Sequence, residues 1–190
     1  MSDSRKPGPS GAPKGQGRLS DSLQKKLTGP TFREVRAAHS LVLHRAKDCP
    51  FDFTHPVLAE IIINHLACLR QDHWIKVAGF MIFPDRLELV ATPPHPQLMH
   101  DIARNIAEST SRAMNQMAKG HTAVWDEHFE ERPIRDQTDL KDALEKLREQ
   151  SRQKLDDAHS LWLWSSFHDL HAGLSDPDFF PAGGEPPQGR

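Results

Sequence analysis

Apolar and polar positions alternate through WIKVAGFMIFPDRLELVATP, residues 74–93. A period of two marks a β-strand, and Pro-Asp in the middle is a turn signal. The stretch therefore predicts strands over 73–83 and 86–92, joined as a hairpin. An earlier strand is expected within 35–46, where SLVLH is β-prone. Between these strands Val57, Leu58, Ile61, Ile62, His65, Leu66 and Leu69 recur at helical spacing behind Thr54 and Pro56. Proline suits an early helix position, where its missing donor costs nothing. A long helix is expected from about Pro96 to Lys119, closed by Gly120, with the stripe Leu98, Ile102, Ile106, Met114 and Met117. Residues 123–134 read as extended. Thr138 is expected to cap a last helix running to about Gln153, with Leu140, Leu144, Leu147 and Leu155 along one side. SLWLWSSFHDL follows and packs two tryptophans.

The order β-α-β-β-α-β-α predicts an α+β fold. It is a ferredoxin-like sandwich, a largely antiparallel sheet with helices packed on it. Helices cover one face, and the other binds something or is covered by the last helix. Residues 1–30 are rich in Pro, Gly, Ser and Lys and bury too little apolar surface to fold alone. They are expected to be a disordered basic tail, followed by one α+β domain over 31–173 and a second tail over 174–190. In that second tail Phe179 and Phe180 are available to dock on the body.

Charge and cysteine content narrow the classes. The 190 residues suffice for one core, and the net charge is only −2. Residues 1–30 carry six Lys/Arg against two acids, a net of +4 that leaves −6 for the rest. No global basic field announces nucleic acid, and the acidic DEHFEE at 126–131 interrupts any continuous basic groove. Cys49 and Cys68 have neither disulfide-scaffold nor zinc-ligand spacing, so a reducing cytoplasm is expected. The first residues hold no apolar signal segment. LAEIIINHLACL, broken by Glu60, Asn64 and His65, is too short to span a bilayer. Twelve histidines, among them the pairs His39/His44, His121/His128 and His168/His171, show no recognised ligand spacing, so no metal site is expected. Tyrosine is absent from the whole chain.

Several phrases together resemble the single-tyrosine HUH transposases of the insertion-sequence 200/605 type, most of all the REP-associated tyrosine transposases. That family carries a signature like M-P-N-H-x-H-L-L, here FPDRLELV at 83–90. A long helix follows, then V-W-x-x-x-F-x-x-R-x-I-R-D, matched by Val124, Trp125, Phe129, Arg132, Ile134, Arg135 and Asp136. A helix opens with Asp139-Leu140, and W-x-W-S-S is matched by Trp162 to Ser166. The resemblance covers roughly residues 32–171.

The resemblance implies cleavage of single-stranded DNA, by a tyrosine that leaves a phosphotyrosine and a divalent metal, Mg or Mn, that polarises the phosphate. Two imidazoles one residue apart would hold that metal from one face of a strand. Here Arg86 and Glu88 stand at those positions. The tyrosine position falls near Lys146 or Leu147, and Gln150 matches an accessory ligand position. Guanidinium has no lone pair for a metal, and Arg86 and Glu88 can pair with each other or with neighbours across the sheet. The expected function is therefore a transposase-like protein that binds single-stranded or hairpin DNA without cleaving it, with no cofactor and no catalytic residue. Arg86, Arg104, Arg112, Lys119 and Arg135 are the candidate DNA contacts. Trp125, Trp162 and Trp164 either stack on bases or fill the core. Two alternatives stay open. One is a protein-interaction module on the same scaffold. The other is an active transposase with an unusual nucleophile such as a serine, which no adjacent base activates. Homodimer and monomer are both left open.

Overall fold

The computed structural model describes residues 38–153 and 162–176. The basic tail, the docking of Phe179 and Phe180, and Leu155 on the last helix stripe all lie outside the described residues. Strand β1 (His39–Arg45) leads into helix α1 (Pro56–Gln71). The hairpin of β2 (Lys76–Phe83) and β3 (Arg86–Thr92) follows, then α2 (Met99–Ala118), β4 (Trp125–Pro133) and α3 (Gln137–Gln153). The sheet order is β2-β3-β1-β4, with every neighbouring pair antiparallel. This is the ferredoxin-like α+β sandwich, including the split that places β1 between strands distant in sequence.

Alternation assigns the two faces. Leu41 and Leu43, Phe80 and Ile82, and Leu87, Leu89 and Ala91 bury themselves with the apolar sides of α1 and α2. Met81, Phe83 and Val90 point the other way, into a smaller core with Leu140, Ala143 and Leu147 of α3. Each such side chain taken fully out of water contributes about 1.5–3 kcal/mol. The second face is thus covered by the last helix, but only in part. α3 packs on β2 and β3. Ser40, Val42 and His44 on β1 remain half-exposed.

Several boundaries differ from expectation for local reasons. The segment from Pro96 starts as a 3-10 turn, and the α-helix begins only at Met99. Its left-handed closing residue is Lys119 (φ 52°), not Gly120. Asn115 explains this. Its side chain donates to the Thr122 carbonyl and accepts the Thr122 N–H, and its carbonyl accepts the Gly120 N–H at 3.0 Å. Those three bonds hold the turn in place around a residue with a Cβ. Met117 is 45% exposed, so it is not part of the stripe, and the buried polar member there is Thr110. Val57, placed on the α1 stripe, is likewise 45% exposed. The cap of α3 is Asp136, whose carboxylate accepts the Asp139 N–H at 2.9 Å; Thr138 already lies inside the helix.

Residues 162–176 run along the outer edge of β2. The Ile82 N–H donates to the Trp164 carbonyl at 2.9 Å and the Ser166 N–H to the Phe80 carbonyl at 3.0 Å. Farther along, the Asp176 carboxylate accepts the Val77 N–H at 2.8 Å and Arg70 Nε at 2.9 Å. A bare strand edge invites pairing with other chains, and here it is covered. The contacts tie residues as far as Asp176 to the sheet.

Candidate nucleic-acid interface

The hairpin sets Arg86 and Glu88 on one face of β3, the face turned toward α3. Across the sheet Arg86 lies opposite His44 of β1 and Phe83 of β2, and Glu88 lies opposite Val42 and Met81. Arg86 is held on three sides. Its Nε donates to Glu88 Oε1 at 2.7 Å, its Nη1 donates to Asp85 Oδ1 at 3.2 Å, and its guanidinium carbon sits 3.7 Å above the Phe83 ring. The Arg86 side chain is 25% exposed and that of Glu88 12%. One cation therefore faces two carboxylates of its own hairpin, which leaves no uncompensated positive charge there. His44 is engaged as well, with Nε2 at 2.9 Å from Glu130 Oε1.

The hairpin turn is fixed from outside. The Arg45 N–H donates to the Asp85 carbonyl at 2.7 Å, and the Phe53 N–H donates to the Pro84 carbonyl at 3.1 Å. On α3 it is Leu147 that turns into the sheet, 3% exposed, while Lys146 is exposed. Gln150, half-buried, follows Leu147 by nearly one turn on that side.

The divalent ion implied by the resemblance does not fit these residues. Arg86 offers no lone pair, and Glu88 is engaged by Arg86. Among the described residues no group of three or more His, Cys, Asp and Glu side chains could hold a metal ion.

The candidate DNA contacts do not form one surface. Arg104, Arg112 and Lys119 are exposed on α2, on the opposite side of the sheet from Arg86. Arg104 Nη2 lies 3.2 Å from His100 Nε2. Arg135 is exposed at the β4–α3 junction. Its backbone N–H and the Arg132 guanidinium both donate to Asp139, at 3.1 Å and at 2.7 and 2.9 Å. The Arg132 guanidinium first, then the Arg135 N–H, hold the Asp139 carboxyl below its usual range. These groups line an open cavity of about 440 Å³ formed by Arg132, Pro133, Arg135, Asp136 and Asp139. Sequence reasoning missed this cluster. The spacing of Asp136 and Asp139 signals a capped helix start, but bringing Arg132 onto Asp139 needs the turn after β4.

The tryptophans are structural. Trp125 is buried, with its ring centroid 4.4 Å from that of Phe53 and its Nε1–H donating to Thr110 Oγ1 at 2.8 Å. Trp162 donates its Nε1–H to the Ile82 carbonyl at 2.7 Å. Trp164, half-buried, stacks on His171 at 6.1 Å between centroids. Burial, with His168 adding to it, lowers the His171 pKa, and Glu60 opposes the shift. His39 and His44 do face opposite sides of β1, as five-residue spacing requires; His39 is buried with Nδ1 2.8 Å from Glu131.

Sheet order, helix placement and hairpin together define the class, a ferredoxin-like α+β domain. The chain is similar to a solved REP-associated tyrosine transposase bound to a REP hairpin, with a TM-score of 0.59 and 15% sequence identity over 79% of this chain and 87% of that one. The sequence itself matches no family model and no curated protein. Among the described residues no helix is long and apolar enough to cross a membrane.

Proposed function

We propose that this protein binds DNA, single-stranded or hairpin, on a transposase-like scaffold and does not cleave it. The observation that carries this reading is the Arg86–Glu88 ion pair of 2.7 Å, standing at the two strand positions where the family resemblance calls for imidazoles. A guanidinium repels a divalent ion instead of coordinating it. The absence of tyrosine from the chain removes the phenol nucleophile independently. DNA as the partner is supported by the fold shared with a transposase solved on a hairpin. The exposed cations of α2 and of the β4–α3 junction are the candidate phosphate contacts, while Arg86 is assigned to the hairpin and not to DNA.

The test is incubation with single-stranded and hairpin oligonucleotides in Mg or Mn, followed by a denaturing gel. The expected result is no nicked strand and no protein–DNA adduct. The double variant Arg86→His/Glu88→His is expected to gain Mn affinity and still form no adduct. Metal-dependent nicking by the unaltered protein would overturn the reading. The second reading is a protein-interaction module, favoured by one feature. β4 exposes Asp126, Glu127, Glu130 and Glu131 against the single cation Arg132.

A further inference from the structure

β4 lies between the two groups of exposed cations. α2, which carries Arg104, Arg112 and Lys119, packs against it through the rings of His100 and Phe129, 4.9 Å between centroids. At its other end β4 leads directly to Arg135, before α3. A DNA strand that touches both groups therefore passes β4.

The strand opposes a phosphate backbone. Exposed Asp126, Glu127, Glu130 and Glu131 stand against one strand cation, Arg132, which Asp139 binds at 2.7 Å. The cations of neighbouring elements are engaged. Arg86, opposite His44 across the sheet, is held by Glu88 and Asp85. Arg45 donates its Nη1–H to the Phe51 carbonyl at 2.8 Å, and Arg104 Nη2 lies at His100 Nε2.

Imidazoles are what pair with these acids. His44 Nε2 lies 2.9 Å from Glu130 Oε1, and His128 Nδ1 lies 3.5 Å from Asp126 Oδ1. A bulge sets the pairs side by side, with residues 126–128 opposite the single residue His44. All four side chains are at least 41% exposed, so solvent protons reach them. His39 makes a third pair with Glu131 at 2.8 Å, but it is buried. Histidine is the side chain whose charge ordinarily changes between pH 5 and 8. Asp126 stays ionised through that window. The His128 N–H first, then the imidazoles of His128 and His44, hold its carboxyl below the usual range.

We propose that His44 and His128 make β4 a pH-controlled gate for nucleic acid. Neutral imidazoles leave the strand acidic, and it repels the phosphate backbone. Imidazoliums offset Glu130 and Asp126, and the backbone can cross. The gate rests on the DNA-binding reading and is the regulation of that binding.

Fluorescence anisotropy of labelled hairpin and single-stranded oligonucleotides tests it, at one low salt concentration and at pH 7.5 and 5.5. Three full-length chains are compared. The unaltered chain is expected to bind more tightly at pH 5.5. His44→Gln/His128→Gln keeps amide donors without titrating, and its gain is expected to be about fivefold smaller. Two unit charges about 8 Å from a phosphate in water amount to that factor. Asp126→Asn/Glu130→Gln is expected to bind about fivefold more tightly than the unaltered chain at pH 7.5. An undiminished gain in the histidine variant would assign the effect to the other histidines and overturn the gate. So would an Asp126→Asn/Glu130→Gln variant no tighter than the unaltered chain at pH 7.5. Binding of the unaltered chain with equal strength at both pH values overturns the gate and leaves the DNA-binding reading standing. No binding by any of the three chains at either pH overturns that reading and the gate with it.

Discussion

An imidazole offers a metal a lone pair, and a guanidinium offers only donors and a permanent charge. At Arg86 that difference separates a metal site from an ion pair, and the backbone of β3 is no less regular for it. Other single side chains carry stability. Thr110 accepts from Trp125 and donates to the Ile106 carbonyl at 2.7 Å, so one hydroxyl satisfies a buried indole N–H. Thr110→Val keeps the shape and removes the acceptor. The expected cost is about 1–3 kcal/mol, the penalty of an unpaired buried donor, read as a lower urea midpoint with unchanged slope. An unchanged midpoint would show that the bond contributes nothing. His65 sits between α1 and α2, with its Nε2 3.0 Å from Asn105 Oδ1. Burial lowers its pKa below 6.5, with Asn105 opposing in part. The depressed folded value means that the unfolded chain takes up the proton first. This stability is therefore complete above pH 6.5 and declines as pH falls through 6.5 toward the folded pKa. His65→Gln keeps a donor without titrating, so the difference in melting temperature between it and the unaltered chain should shift between pH 7.5 and pH 5.5. A constant difference would clear His65 of that role.

Gly79 decides how closely α3 lies on the sheet. It follows the bulge in β2, and an added Cβ would come within 2.9 Å of Leu144 Cδ2. Gly79→Ala is expected to be mild, because a leucine tip can swing. Gly79→Val is expected to displace Leu144 and cost about 1–3 kcal/mol, as overpacking does. Faster hydrogen exchange in α3 than in α1 would localise the damage, and equal exchange would contradict it. The β2–β3 hairpin was legible because alternation and a Pro-Asp turn agree over contiguous residues. The leucine spacing placed α3 for the same reason. What stayed hidden depends on distant partners. Thr110 enters the core because Trp125 needs it, and the edge of β2 is closed by Trp164 and Ser166, some 80 residues later. No local period encodes either. Of the candidate site, the shared face of Arg86 and Glu88 was legible from their spacing. The pinning of Arg86 by Asp85 and Phe83, and the separation of the α2 cations from it, depend on turn geometry and layer order.

At the scale of the molecule the layers divide the charge. The α2 side of the sheet presents Arg104, Arg112 and Lys119, and β4 presents four acids. DNA bound by exposed cations and by the basic residues of 1–30 releases counterions, so affinity should fall steeply with salt. Metal should have no part in it, because Arg86 closes the place where one would sit. The most direct measurement is a native gel shift with hairpin, single-stranded and duplex DNA of one sequence, in Mn and in EDTA, across a salt series. The account predicts a shift for the hairpin or the single strand that weakens with salt and is the same in Mn and in EDTA. No shift with any DNA at low salt, or a shift that requires Mn, would contradict it.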